Sequence, residues 1–170
     1  MGGRCSFGTP FTLTPEVSEP TPAAGSEAVK SLSGNWPQEI RRVENLIITS
    51  AEENGLRPEL YASLIYHESW YPGRCPDGPV TGSCTSSAGA IGPAQVMQYH
   101  FGEGEDGRDP AINIAKGAEI LRIYTDAMGS QDGGLAAYYC GPNQRFWVNS
   151  AECWQYIDQV MQVFREHVGE

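Results

Sequence analysis

Glu68 is the residue whose position invites chemistry. Tyr61, Leu64, Ile65 and Glu68 recur at i, i+3, i+4 and i+7, so a helix through them carries an apolar stripe that ends in a carboxyl group. A carboxyl at the end of such a stripe loses water, which disfavours its charged form and raises its pKa. That is the state of a general acid able to protonate a leaving oxygen near neutral pH. Periodicity by itself favours the plainer reading, a helix-end carboxylate that reaches solvent. Three segments further along the chain change the balance. Ser87-Ala88-Gly89-Ala90-Ile91-Gly92-Pro93-Ala94-Gln95-Val96-Met97 is a small-residue turn punctuated by glycine, where backbone amides can approach a ligand closely. Tight packing through glycine is the alternative. Asp109-Pro110-Ala111-Ile112-Asn113-Ile114-Ala115-Lys116-Gly117-Ala118 and Ala136-Ala137-Tyr138-Tyr139-Cys140-Gly141-Pro142 complete the series.

The elements that must position these residues are helical. Pro37 suits a first turn, and Ile40, Val43, Ile47 and Ala51 fall on one stripe until Asn54-Gly55 stops the helix. Pro58 opens a second helix that runs to about Ser69, and residues 70–86 read as loop. A third helix is expected near Pro93, carrying Ala94, Val96 and Met97. Asp109-Pro110 is a strong helix start, and Ile114, Ala118, Leu121, Thr125 and Met128 form the stripe after it. Gly133-Gly134 is expected to separate that helix from the next apolar run, and Ser150 to cap a last helix carrying Tyr156, Val160, Val163 and His167. The fold class is all-α, a compact domain over 35–170 with at most a short hairpin. Residues 1–34, rich in proline, serine and threonine, read as a disordered tail or linker.

Composition narrows the function. The 170 residues, 40% apolar and 19% charged, exclude a wholly disordered chain. No window approaches the roughly 18–20 continuous apolar residues of a membrane helix, and no export signal is visible, so such a signal either lies outside this chain or never existed. Eleven basic and 21 acidic residues give a net charge of −10, which disfavours nucleic acid as a partner and suits an uncharged ligand. The tail holds two basic and three acidic residues, leaving −9 on the domain. No phosphate-cradling loop appears, and His67, His100 and His167 stand at no zinc-finger spacing from cysteine, so neither cofactor nor metal is expected. Cys75 and Cys84 flank a turn-rich stretch that reads as a small disulfide-closed loop, and Cys140 and Cys153 could form a second bridge. Four cysteines allow three pairings, and a buried thiol at Cys140 is the alternative. Bridges, if formed, place the chain in an oxidising, extracytoplasmic compartment.

The ordered set ES, S-x-GA-x-G-x-x-Q, DP-x-x-NI-x-x-GA and AAY-x-x-GP, spread over about residues 39–165, resembles the soluble-type (SLT) lytic transglycosylases, which share the goose-type lysozyme fold. The resemblance implies a lysozyme-like helical domain, a monomer, with the glycan strands of peptidoglycan as its partner. It makes Glu68 the single catalytic glutamate. Ser87, Gly89 and Gln95 correspond to the turn and helix start lining the glycan groove, with Tyr139 and Asn113 as further substrate-binding positions. Tyr138 corresponds to the motif tyrosine that contacts the catalytic carboxyl. Two motifs depart from the family: Gly92-Pro93-Ala94-Gln95 stands for GLMQ, and Tyr138-Tyr139-Cys140-Gly141-Pro142 for YNAGP. The stretch from Glu68 to Ser87 is also longer, and the Cys75–Cys84 loop accounts for the excess.

Ordinary glycoside hydrolysis places two carboxylates about 5–9.5 Å apart. Asp77, in the loop, is the candidate second carboxylate; Asp109 reads as a helix cap, and Glu103, Glu105 and Asp106 as solvated. A lone acid points to substrate assistance and a 1,6-anhydro product, as the resemblance implies. A hydrolytic muramidase and a non-catalytic glycan-binding domain are the rivals. Trp70, Tyr71, Tyr99, Tyr139 and Trp147 offer faces for sugar stacking, whereas Trp154 and Tyr156 read as core and His67 as a surface or packing residue.

Overall fold

The computed structural model describes residues 30–70 and 84–169. Seven α-helices are found among them: α1 (Gln38–Arg42), α2 (Glu44–Glu53), α3 (Pro58–Ile65), α4 (Pro110–Met128), α5 (Gln131–Cys140), α6 (Gln144–Trp147) and α7 (Ala151–Val168). The architecture is the expected helical one. α3 is its axis: Leu60 through Ile65 are all buried, and the helix packs between α2 and α7. A helix buried on every side belongs at the centre of a core. α4 lies along α5 and α2, and α5 in turn packs on α7.

The starts and stops follow local chemistry. Asp109 caps α4 by accepting from the Ala111 N–H at 2.8 Å, with Pro110 behind it in the first turn. Ser150 caps α7. The first expected helix is two, broken at Val43, whose φ of −108° and ψ of 10° interrupt the ladder; the stripe Ile40, Val43, Ile47 and Ala51 is nonetheless buried throughout. Gly133 and Gly134 do not separate two helices. They lie inside α5, and the break falls earlier, at left-handed Gly129 and the capping Ser130. A methyl group at Gly134 would stand 2.2 Å from Thr125 Oγ1, so the pair lets α5 approach α4 rather than ending it.

The expected helix at Pro93 is a β-hairpin. β1 (Ala90–Ile91) pairs antiparallel with β2 (Val96–Met97), Ile91 opposite Val96, and Thr85 adds a bridge to Ile91. Gly92 at φ +74° and Gln95 at φ +49° turn the chain back, a conformation foreign to a right-handed helix.

The packed domain begins before residue 35. Leu32 is buried in the core, and Glu44 accepts from the Leu32 N–H at 2.6 Å and the Ser31 hydroxyl at 2.8 Å. Glu59 holds Ser33 through its N–H and its hydroxyl. Asn35 N–H donates to the His167 carbonyl at 2.8 Å, fastening this segment to the end of α7. Residues 1–29 of the expected tail lie outside the described residues.

Burial alone would push the Glu44 and Glu59 carboxyls up. Hydrogen bonds from Ser31, Leu32 and Arg41 at Glu44, and from Ser33 together with the Arg57 charge at Glu59, outweigh it and hold both below the usual value of 4.5. A folded-state value below the unfolded one stabilises above the unfolded pKa, and that contribution is lost as pH falls through the depressed values. Acidification below 4.5 is therefore expected to release residues 31–35 before the core melts. Amide exchange at Leu32 and Ser33 should accelerate there, and Glu44→Gln should weaken the pH step at Leu32.

Candidate active site

Glu68 does not sit in a continuing α-helix. At Ile65 the chain widens into a π-turn, Tyr66–Trp70, in which His67, Glu68 and Ser69 are all buried. Single π-turns are frequent at functional sites because they re-aim side chains that α-geometry would distribute round the helix. The Ser69 hydroxyl donates to the Ile65 carbonyl at 2.9 Å inside the widened turn. His67 is fully buried, a packing residue, its ring meeting that of Tyr156 nearly at right angles with centroids 5.0 Å apart.

Glu68 is 6% exposed, and Oε1 accepts a 2.6 Å hydrogen bond from the Tyr156 hydroxyl on α7. The carboxyl lines a cleft of about 560 Å³ whose wall also includes Ser86, Ser87, Gln95, Tyr138 and Tyr139. Among the described residues it is the only carboxylate on that wall. Asp77 and Cys75 lie outside the described residues, as does Tyr71. Glu103, Glu105 and Asp106 are exposed on the segment before α4, as expected of solvated residues.

The opposite wall is the strand-and-turn segment. Ser86 closes a tight turn by accepting the Gly89 N–H on its carbonyl and the Ala90 N–H on its hydroxyl, both at 3.0 Å. Gly89, at φ +88° and with open space where a side chain would stand, makes the bend that presents Ser87 and Ala88 to the cleft. Gln95 Nε2 donates to the Gly92 carbonyl at 2.9 Å and contacts Cys84 Sγ at 3.1 Å, so the side chain folds back across its own turn.

Asn113 was expected to bind substrate, and it does not reach the cleft. It is completely buried beneath the hairpin: Oδ1 accepts the Ala94 N–H at 2.7 Å, and Nδ2 donates to the carbonyls of Ile91 and Gly107, each at 2.9 Å. A Cβ at Gly92 would lie 2.4 Å from Asn113 Nδ2, so this turn needs glycine for its space as well as for its φ. The asparagine supplies backbone partners that a two-residue ladder cannot.

Tyr138 stands on the cleft wall, but its hydroxyl donates to the Ala94 carbonyl at 2.7 Å, tying α5 to the hairpin. Burial, then the neighbouring Tyr61, Glu68 and Tyr124, push this phenol well above its usual value of 10.0, so it remains a donor. The phenol on Glu68 is that of Tyr156. Periodicity places Tyr156 in the core, where it is 2% exposed, but does not reveal the polar partner of its hydroxyl. A tyrosine beside Val160 and Val163 on a buried stripe is the available signal, since a buried phenol requires a hydrogen-bond partner. Trp147 and Trp154 exchange their expected places: Trp147 is buried at 6%, and Trp154 is 43% exposed at the start of α7. Tyr99 is largely exposed, but it does not line this cleft. Trp70 ends the π-turn with its ring against that of Tyr66.

Cys140 and Cys153 are joined by a disulfide that links the last residue of α5 to the first turn of α7. Cys84 is disulfide-bonded as well, and the expected loop closed by Cys75 falls outside the described residues.

A family model, the transglycosylase SLT domain, matches residues 45–156. The match spans more than half of the chain, and the chain belongs to this family. An inactive mutant of the lytic transglycosylase Slt from Pseudomonas aeruginosa shares the fold, with a TM-score of 0.54 and 18% identity over 71% of this chain. The chain spans only 23% of that protein's length. No curated protein matches the sequence.

The clamp formed by Asn113 yields a prediction. Asn113→Ala removes three buried hydrogen bonds to the backbone and is expected to cost about 3 kcal/mol or more, measured by urea unfolding. Loss of Asn113 should also raise amide exchange at Ala94 while leaving the α7 amides protected under native conditions.

Proposed function

We propose that this chain cleaves the β-1,4 bond between N-acetylmuramic acid and N-acetylglucosamine in peptidoglycan and leaves 1,6-anhydromuramic ends, with Glu68 as both acid and base. The observation that carries this reading is one dry carboxyl, oriented by a tyrosine, on the wall of an open cleft in an SLT-family domain.

The chemistry rests on that geometry. Burial favours the neutral carboxyl, which can give its proton to the glycosidic oxygen as the bond to C1 breaks. The acetamido carbonyl of the muramic residue stabilises the positive charge that develops at C1. The carboxylate left on Glu68 is stabilised by the Tyr156 O–H. It then takes the proton of the sugar's own C6 hydroxyl, and O6 closes on C1. Glu68 ends protonated as it began, and no water is consumed. Ordinary two-carboxylate hydrolysis would need a second acid, and no carboxylate other than Glu68 lines the cleft among the described residues.

Ser87 and Gln95, two of the polar residues lining the cleft, and the half-exposed ring of Tyr139 support a reading in which they meet the glycan. The Cys140–Cys153 bridge supports an extracytoplasmic site of action, where such bonds persist. No described helix is long and apolar enough to cross a membrane.

Digestion of purified peptidoglycan with mass analysis of the fragments tests the reading. The expected product is lighter by one water than that of a lysozyme, and Glu68→Gln should reduce release about a thousand-fold with its thermal melt retained. Fragments carrying the full mass would establish a hydrolytic muramidase instead. Binding to insoluble wall without release would establish a non-catalytic glycan-binding domain.

A further inference from the structure

Two tyrosines connect the cleft surface to Glu68. Tyr139 is 49% exposed and lines the cleft, while its ring stacks on that of Tyr156 with centroids 4.7 Å apart and planes 9° from parallel. Tyr156 is almost wholly buried, and its hydroxyl holds Glu68 Oε1. His67 meets the Tyr156 ring at 82°, so the ring is constrained by two aromatic neighbours of different orientation. The disulfide between Cys140 and Cys153 runs beside the stack: Cys140 is the residue after Tyr139, and Cys153 lies three residues before Tyr156 on the same face of α7. Bridge and stack therefore fasten the same two helices at the edge of the cleft.

We infer that Tyr139 is a positioning residue: acting through Tyr156, it fixes the direction from which the hydroxyl reaches Glu68. This deepens the proposed function and rests on it for its catalytic consequence. The physical reason is the length of the lever. A phenol hydroxyl lies at the far end of its ring, so a small rocking of the ring about Cβ displaces the hydroxyl from a 2.6 Å contact, and hydrogen bonds weaken steeply once misaligned. A parallel neighbour resists that rocking and adds attraction beyond its buried area. Because the outer part of Tyr139 borders the cleft, a saccharide ring seated there also presses on the stack. Tyr139 thereby couples occupancy of the cleft to the orientation of the proton donor.

The test is a double-mutant cycle on the full chain with peptidoglycan as substrate, read as kcat and KM separately. Tyr139→Leu is expected to lower kcat about tenfold, comparable to Tyr156→Phe. Tyr139→Phe, which retains the stack, should recover most of that loss. Adding Tyr139→Leu to Tyr156→Phe should change kcat by less than about twofold, since the lever no longer has an end to position. Losses that multiply, or a Tyr139→Leu effect confined to KM, would overturn the inference. Should Tyr139→Leu fail to fold, Tyr139→Asn takes its place with the same expectations. A second measurement does not depend on activity: carbon-detected titration of the Glu68 carboxyl, followed together with Tyr156, which bonds it, Tyr138, which feels its charge, and His67, which packs on Tyr156. Loss of the Tyr156 hydroxyl removes a donor to the charged form and should raise the Glu68 midpoint by about one pH unit. Tyr139→Leu should raise it by part of that amount, and an unchanged midpoint would overturn the coupling. Wild-type protein that releases no fragments from peptidoglycan would defeat the proposed function, while the titration would still decide the coupling.

Discussion

The structure turns on keeping one carboxyl out of water while still giving it a defined hydrogen-bond direction. Burying an ionisable group is costly unless polar partners accompany it. Here the Tyr156 hydroxyl comes from a helix 88 residues away along the chain. That separation explains where the remaining fastenings lie. α7 must hold its position relative to the π-turn, and it is secured at both ends. The Cys140–Cys153 disulfide binds its first turn to α5, and the Asn35 N–H, bonded to the His167 carbonyl, binds its last. The stacked rings of Trp36 and His167 reinforce the latter end.

The other wall of the cleft is built on a different principle. Its hairpin has only two residues per strand, too little ladder to be stable in isolation. Its turn adopts two left-handed conformations, one of them at a residue that is not glycine. Neither would persist without support from below, and Asn113 gives that support with both ends of its amide. Gly117 on α4 lets this support come close: a methyl group there would meet the Ala94 side chain at 2.5 Å and the Tyr61 hydroxyl at 2.6 Å. One wall is therefore fixed by a buried amide and the other by a buried phenol, while the space between them stays open.

Much of this is legible in the sequence wherever the cause is local. The caps at Asp109 and Ser150, the stop at Asn54-Gly55 and the buried stripes all depend on residues within a turn or two of one another, whereas periodicity alone leaves Glu68 reaching solvent and only distant segments point to its burial. The helix expected at Pro93 fails because proline after a small-residue run also suits a first helical turn, and the competing turn depends on Asn113, nineteen residues beyond Ala94. The same distance hides the role of Asn113 itself, which the resemblance offers as a substrate contact while its partners are backbone. Tyr156 is legible as core but not as a donor, because periodicity reports which face is buried and not what the end of a long side chain touches. Gly133-Gly134 misleads for a related reason: glycine weakens a helix, yet it is retained where a neighbouring helix leaves no room for a methyl group, as Thr125 does beside Gly134.

Burial and the tyrosine bond act on Glu68 in opposite senses, and the proposed reaction, in which one residue releases a proton and recovers one, needs both. In that proposed reaction, burial without a donor would leave the anion too unstable to form as the leaving oxygen takes the proton. A donor without burial would leave a carboxylate already ionised and unable to act as the acid. The π-turn supplies the first condition by turning Glu68 inward at the end of the central helix, and α7 supplies the second. Neither element is enough by itself. The demand that they meet within hydrogen-bond distance makes the packing of α5 against α7, remote from Glu68 in sequence, part of the same site.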